Sequence, residues 1–295
     1  MNGVLVVDKP AGPTSHKVVA EVSRRLGGVK AGHAGTLDPM ATGVLVVCVG
    51  EATKIAGVLV ADDKAYDGEL ELGVETDTLD AEGQPVRERR AEAAAVDRAA
   101  LAAALARLDG PGQQVPPMYS AVKVDGRRLH AAARAGDEVE RAPRPIDVRA
   151  LELLSFDPPR ARFRVDCSKG TYVRVLVADT GAALGCGAHL TALRRTRSGA
   201  MTLEQSVPLG ELTPERAAAA LVPVEAAIGH LPSARLSADL ARAVSTGKPM
   251  NWNDISPELP PAGVVALLAP EGRLLALCEV DPEARIRYRR VFLTP

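Results

Sequence analysis

Two runs of consecutive apolar residues constrain this chain more than anything else: GVLVV at 3–7 and GVLVVCVG at 43–50. A strand with one wet face alternates apolar and polar residues. These runs do not alternate, so each is expected as a buried strand. The DKPAG that completes the first run is a Pro/Gly turn signal. A chain of 295 residues, 46% of them apolar, can bury a sizeable core in one large domain or two smaller ones. Aromatics make up only 3%, so Ala, Val and Leu must supply most of it. No uninterrupted apolar stretch is long enough for a membrane span, and the N-terminus lacks the basic region and cleavage site of a signal peptide. A cytoplasmic protein with no membrane association is expected. Cys48, Cys167, Cys186 and Cys278 lie far apart without metal-ligand spacing, and are expected as reduced, mostly buried thiols.

The rest of the chain alternates strand and helix signals. Ser15 is read as the N-cap of a helix with apolar positions at Val18, Val19 and Val22 and a stop at Gly27. Residues 32–43 form a loop, EATKIAGVLV a short helix, and KAYDGELELGVETDTLDAEG a strand ending in a turn. An amphipathic helix is expected over 94–108. A long Pro/Gly-started segment then carries Lys123, Arg127, Arg128 and Arg134. IDVRALELLSF and RARFRVDCSKG are expected as paired strands, TYVRVLVADTGAALG as a helix and HLTALRRTRSGAM as a strand. The character shifts near residue 229. Beyond it come a short helix, a hairpin in GVVALLAPEGRLLALCEV and a basic strand, ARIRYRRVFLTP, which together make a small β-rich module.

The net charge of −1 hides an asymmetry. From Arg160 to Gly199, Arg160, Arg162, Arg164, Lys169, Arg174, Arg194, Arg195 and Arg197 face only Asp166 and Asp179. From Ala61 to Glu82 the balance reverses, with Lys64 alone among nine acids: Asp62, Asp63, Asp67, Glu69, Glu71, Glu75, Asp77, Asp80 and Glu82. A local basic face suits a bound polyanion, and it also suits a solvated charged surface.

GHAGTLDPMATG, residues 32–43, surrounds one carboxylate, Asp38, with residues chosen for backbone shape. An Asp before Pro in such a loop is commonly an Asx-turn or a cap. Against that reading, Gly32, Gly35 and Gly43 allow close approach of another surface, and Thr36 and Thr42 offer hydroxyls to a phosphate or a sugar. The order of residues is not that of a Walker phosphate loop.

GHAGTLDPMATGVLVVCVGEATK resembles the catalytic motif of the bacterial tRNA pseudouridine-55 synthases of the TruB family, and the resemblance continues along most of the chain. It implies an α+β pseudouridine synthase fold: a mixed, largely antiparallel central sheet flanked by helices over 1–228, with an RNA-gripping insertion at about 114–145. Residues 229–295 would be a PUA-like RNA-binding domain. It implies Asp38 as the catalytic nucleophile acting on a flipped-out uridine. Tyr66 would stack on the target base, and the CSKGTYVRVLVADTG stretch would supply the active-site Arg174, with Leu193 as an apolar wall. Lys9, in DKPAG, and Tyr172 are further candidates at the substrate, and Tyr172 equally suits packing. His33 suits a wedge in the gap left by the base, or a hydrogen-bonding cap of the loop. Lys123, Arg127, Arg128 and Arg134 would grip the RNA. Val175 and Ala178 depart from the family, which more often has a small polar residue and an arginine there.

The implied reaction breaks the C1′–N1 bond of uridine and rejoins the base through C5. It gains and loses no atom, so no cofactor and no metal is expected. The expected partner is the T-stem loop of tRNA, bound by a monomer. A module that grips or refolds tRNA without chemistry is the alternative. A nucleoside hydrolase is disfavoured, because no second carboxylate or Ca²⁺-binding cluster accompanies Asp38.

Overall fold

The computed structural model describes residues 1–120, 123–124, 127–128, 139–256, 258 and 263–292. Its frame is a ten-stranded sheet. In spatial order the path runs Val207–Pro208, Gly3–Lys9, Thr42–Val49, Ala188–Ser198, Lys64–Leu72, Arg160–Cys167, Arg144–Asp157 and Gly110–Gln114. Ala31–His33 and Met201–Thr202 pair alongside this path. Neighbours are antiparallel except where Gly3–Lys9 meets Val207–Pro208 and where Thr42–Val49 meets Ala188–Ser198.

Both apolar runs are central strands covered on both faces. Leu5, Val7, Leu45, Val47 and Val49 pack on the helices Ser15–Arg25 and Val173–Ala183, together with Phe163 and Val165. Val4, Val6, Val44, Val46 and Cys48 point the other way. There they meet Ile55, Leu59 and Ile228, and also Ala266 and Leu277 of a second sheet and Phe292 just beyond its last strand. That sheet has four strands: Ser233–Arg235, Val265–Leu268, Leu274–Val280 and Ile286–Val291. Lys54 Nζ donates to the Val291 carbonyl (3.1 Å), and Leu274 N–H donates to Glu225 Oε1 (2.9 Å). The four-stranded sheet also closes its own core over Leu236, Val244, Trp252, Val265 and Leu267. All four cysteines are free and buried.

Two readings change at the helix starts. Thr14, not Ser15, caps the first helix: its side chain accepts from Lys17 N–H. Ser15 is buried and turns to the 32–43 loop instead. The helix expected over 94–108 is confined to Arg98–Ala106, because the Asp97 carboxylate accepts from Ala100 N–H (2.7 Å) and starts it there; a separate short helix, Arg90–Ala94, precedes it.

The charge asymmetry resolves into strand pairing. The antiparallel register sets Arg160 opposite Glu71, Arg162 opposite Glu69 and Arg164 opposite Asp67. These are ion pairs at 3.2, 3.4 and 2.9 Å. Arg197 pairs with Asp166, and Arg194 with Asp8. Half of the basic stretch is therefore paired with the acidic one, and among the described residues only Lys169 of the eight cations is both exposed and without an acidic partner.

Candidate active site

The 32–43 loop is fixed by its backbone. Ser15 Oγ donates to the Leu37 carbonyl (2.9 Å) and accepts from Leu37 N–H (2.8 Å). The fully buried Lys9 ammonium donates to the carbonyls of Pro10 (3.0 Å), Pro39 (2.9 Å) and Ala41 (2.6 Å). Gly12 N–H also reaches the Pro39 carbonyl (2.9 Å). The glycines serve this internal packing. Gly35 and Gly43 hold φ of +98° and +96°, and a Cβ on Gly43 would fall 2.2 Å from the Arg195 carbonyl oxygen.

From this frame Asp38 projects into a cavity of about 270 Å³ lined also by Tyr66, Tyr172, Arg174, Leu193 and Arg195. Arg174 forks its carboxylate, with Nε 3.0 Å from Oδ2 and Nη2 donating to Oδ1 at 3.4 Å. The Arg174 side chain is only 5% exposed against 36% for Asp38, so the acid meets the cavity and the cation backs it. Arg174 is further held by the carbonyls of Thr78 and Tyr119, both at 2.8 Å, and by Asp80 at 3.4 Å. Asp80 is buried and accepts from Thr78 Oγ1 and from Glu82 N–H (3.1 Å). Two carboxylates thus offset a cation at a helix N-terminus, where the macrodipole disfavours it. Gln114 fixes that helix start: its side-chain oxygen accepts from Tyr172 N–H (2.7 Å), and its nitrogen donates to the Tyr172 carbonyl (3.2 Å).

Burial pushes the Asp38 carboxyl up and nearby Asp80 adds to it, while Arg174 and Lys9 pull it down. Burial brings Lys9 down to about 8 against the pull of Asp38. Tyr66 is buried and its phenol is pushed up, with Arg195 opposing.

Asp38, Tyr66, Tyr172, Arg174 and Leu193, read from distant parts of the sequence, share this one cavity. Lys9 does not line it; its ammonium is spent on loop carbonyls. His33 lies beside the cavity rather than in it, half-buried near His16 and Arg195, and burial lowers its pKa. Lys123, Arg127 and Arg128 fall on a two-stranded ladder, Lys123–Val124 with Arg127–Arg128, whose side chains are not described, and Arg134 lies outside the described residues. Asp80, Gln114, Ser15 and Arg195 escaped the reading of motifs. Only Arg195 left a usable signal: it sits two residues after Leu193 and so shares its strand face. Among the described residues no group of His, Cys, Asp or Glu side chains is placed to hold a metal ion, and no helix is long and apolar enough to cross a membrane.

The chain is similar to known proteins along its whole length. A family model described as TruB family pseudouridylate synthase, N-terminal domain, matches residues 23–173, and one for the tRNA pseudouridylate synthase B C-terminal domain matches 174–228. A tRNA pseudouridine synthase B of Aromatoleum aromaticum is 45% identical over 100% of this chain and 94% of its own length. One of Stutzerimonas stutzeri is 45% identical over 99% and 95%. The crystal structure of a Cbf5–Nop10–Gar1 complex contains a chain that superposes with a TM-score of 0.78 at 29% identity, covering 99% of this chain and 85% of that one. In sequence along its whole length, and in fold, the chain belongs to the TruB family of pseudouridylate synthases.

Proposed function

We propose that the protein is a tRNA pseudouridine synthase that isomerises uridine 55 in the T-stem loop, with Asp38 as the catalytic nucleophile. The observation that carries the reading is the Asp38–Arg174 fork at the floor of a cavity walled by Tyr66 and Leu193. A base must leave its stack to enter such a cavity, at a cost of a few kcal/mol. Tyr66 offers it a ring, and base–aromatic stacking returns about 1–3 kcal/mol. Arg174 orients the carboxylate and favours its ionised form against the push of burial. The curated relatives, tRNA pseudouridine synthase B by name, support tRNA as the substrate. In this reading His33 fills the gap left by the base, Lys9 keeps the nucleophile's loop in shape, and Lys123, Arg127, Arg128 and Arg134 contact phosphates. Residues 1–228 form the catalytic domain and 229–295 a PUA-like module that extends the grip. The enzyme acts as a cytoplasmic monomer.

The test incubates the protein with unmodified tRNA transcript in EDTA and maps pseudouridine at single-nucleotide resolution. Wild type is expected to modify position 55. Asp38→Asn is expected to form none while its tRNA affinity stays within a few-fold, because phosphate contacts elsewhere supply most of that affinity. Product from Asp38→Asn at near wild-type rate, with deamidation excluded by mass spectrometry, would remove Asp38 as the catalyst. Tight binding by the wild type with no product would favour a tRNA-folding module instead.

A further inference from the structure

Besides Arg174 the cavity is lined by two more cations, Lys64 and Arg195, and the fork leaves the role of Arg195 unexplained. Arg195 is 1% exposed, yet no carboxylate lies within ion-pair distance of it among the described residues. A buried, unpaired charge is expensive to maintain, so its position calls for a use. Its guanidinium reaches only dipoles. Nε donates to the Val44 carbonyl at 2.7 Å, and Nη1 and Nη2 donate to the carbonyls of Thr36 and Gly35 at 3.3 Å each. Those carbonyls belong to the two ends of the Asp38 loop. On its central strand Arg195 stands opposite Gly43 on one side and opposite Tyr66 on the other. Directly opposed residues of neighbouring strands share a face. This pairing sets the two side chains next to each other, and both line the cavity.

We propose that Arg195 is a positioning residue for the reaction: its guanidinium ties the backbone on both sides of Asp38 to the strand that faces Tyr66 and sets a fixed positive charge beside the Tyr66 side chain. The proposal rests on the reading that Asp38 and Tyr66 both act on the base. A planar fork with donors in several directions makes these contacts at once, and a lysine ammonium cannot reproduce its geometry. The other groups facing Tyr66 oppose Arg195: Asp38 from the loop and Cys167 from the strand beyond both disfavour a phenolate. Around Arg195 itself stand Lys9, Lys64 and His33, each made less willing to carry a proton by its charge.

The experiment uses the full chain labelled with 3-fluorotyrosine, which makes every phenol more acidic and brings its ionisation into a range the fold survives. Fluorine NMR follows the four tyrosines against pH, with Tyr66→Phe assigning the signal of interest. Arg195→Met is expected to raise the Tyr66 midpoint by about 1 pH unit or more. It is also expected to slow single-turnover conversion of a tRNA transcript roughly 100-fold, with tRNA affinity within a few-fold. Arg195→Lys keeps the charge and loses the fork, so it should leave the Tyr66 midpoint near wild type while still slowing the rate roughly 10-fold. An unchanged Tyr66 midpoint in Arg195→Met would overturn the proposal. So would a wild-type Tyr66 that stays neutral up to the pH of unfolding, or a wild-type rate in Arg195→Lys, the variant that decides if Arg195→Met does not fold. The fluorine readout needs no substrate. A shifted Tyr66 in a protein that converts no tRNA would therefore sink the functional reading and leave the electrostatic one standing.

Discussion

The same two stretches, 61–82 and 160–199, meet twice in this molecule, once in water and once underneath it. On the outer rungs of the sheet, Arg160, Arg162 and Arg164 pair with Glu71, Glu69 and Asp67. The arginines of those pairs are more than half exposed. In the cavity wall, Arg174 and Asp80 are 5% and 4% exposed and make the same kind of contact, sharing Asp38 as a third member. The chemistry is one guanidinium and its carboxylates in both places; depth separates them. Outside, water and salt screen the charges, and each pair is worth about 0–1 kcal/mol. Inside, removing the cation leaves the buried Asp80 and the partly exposed Asp38 without their shared partner, which costs about 3–5 kcal/mol. Counting charges along the chain therefore says little about which of them hold the site.

The comparison breaks most visibly at Arg174. Arg174→Met is expected to destabilise the protein by about 3–5 kcal/mol in urea titration. It should also cut the single-turnover rate by more than roughly 100-fold. Burial already raises the Asp38 carboxyl, and losing the cation raises it further, so residual activity should climb as the pH rises. Arg174→Lys should fall between this variant and wild type. Equal losses in both variants would mean that the fork's geometry, not its charge, is what matters.

Asp80→Asn sharpens the contrast with a smaller effect. Arg174 keeps Asp38 and the carbonyls of Thr78 and Tyr119, so a rate loss of roughly 10-fold is expected. The negative charge of Asp80 helps to raise Asp38, so its removal lowers the Asp38 carboxyl and extends activity toward acid, opposite to Arg174→Met. A pH–rate profile of each variant reads the two directions. Smallest is Arg162→Ala on the outer rungs: stability within about 1 kcal/mol of wild type, with an unchanged rate. The salt slope of tRNA binding should not move either, since Glu69 already holds that arginine. A slope reduced by about one would show that Arg162 contacts a phosphate after all.

Much of this was legible beforehand for a simple reason. Unbroken apolar runs such as Val4–Val7 and Val44–Val49 can only be doubly covered strands, and a lone Asp38 among glycines marks a shaped loop. Arg174 announced a buried acid by sitting at the start of a helix; its second acid, Asp80, lies in a turn with no periodicity to flag it. Ser15 was misread because Thr14 and Ser15 are equally good caps locally, and only the distant Leu37 decides between them. The charge asymmetry leaves two readings open in the sequence because strand register, which sets Arg162 against Glu69, is a tertiary fact that neither stretch carries alone. Arg195 was counted as surface charge although its place two residues after Leu193 put it on the buried face.

The rear face of the central sheet has a consequence for how the enzyme comes into being. Val44 and Val46, beside the Asp38 loop, share one core with Leu277 and Phe292, and Lys54 is tied to the Val291 carbonyl. Contacts between residues so far apart in sequence are the slowest to form. On the ribosome, where chains lengthen at about 5–20 residues per second, the strand that follows Asp38 has only part of that apolar face covered, by Ile55, Leu59 and Ile228, until Ala266, Leu277 and Phe292 have emerged. A chain that already holds Asp38, Tyr66, Arg174 and Arg195 thus still lacks part of the packing behind the strand that follows Asp38.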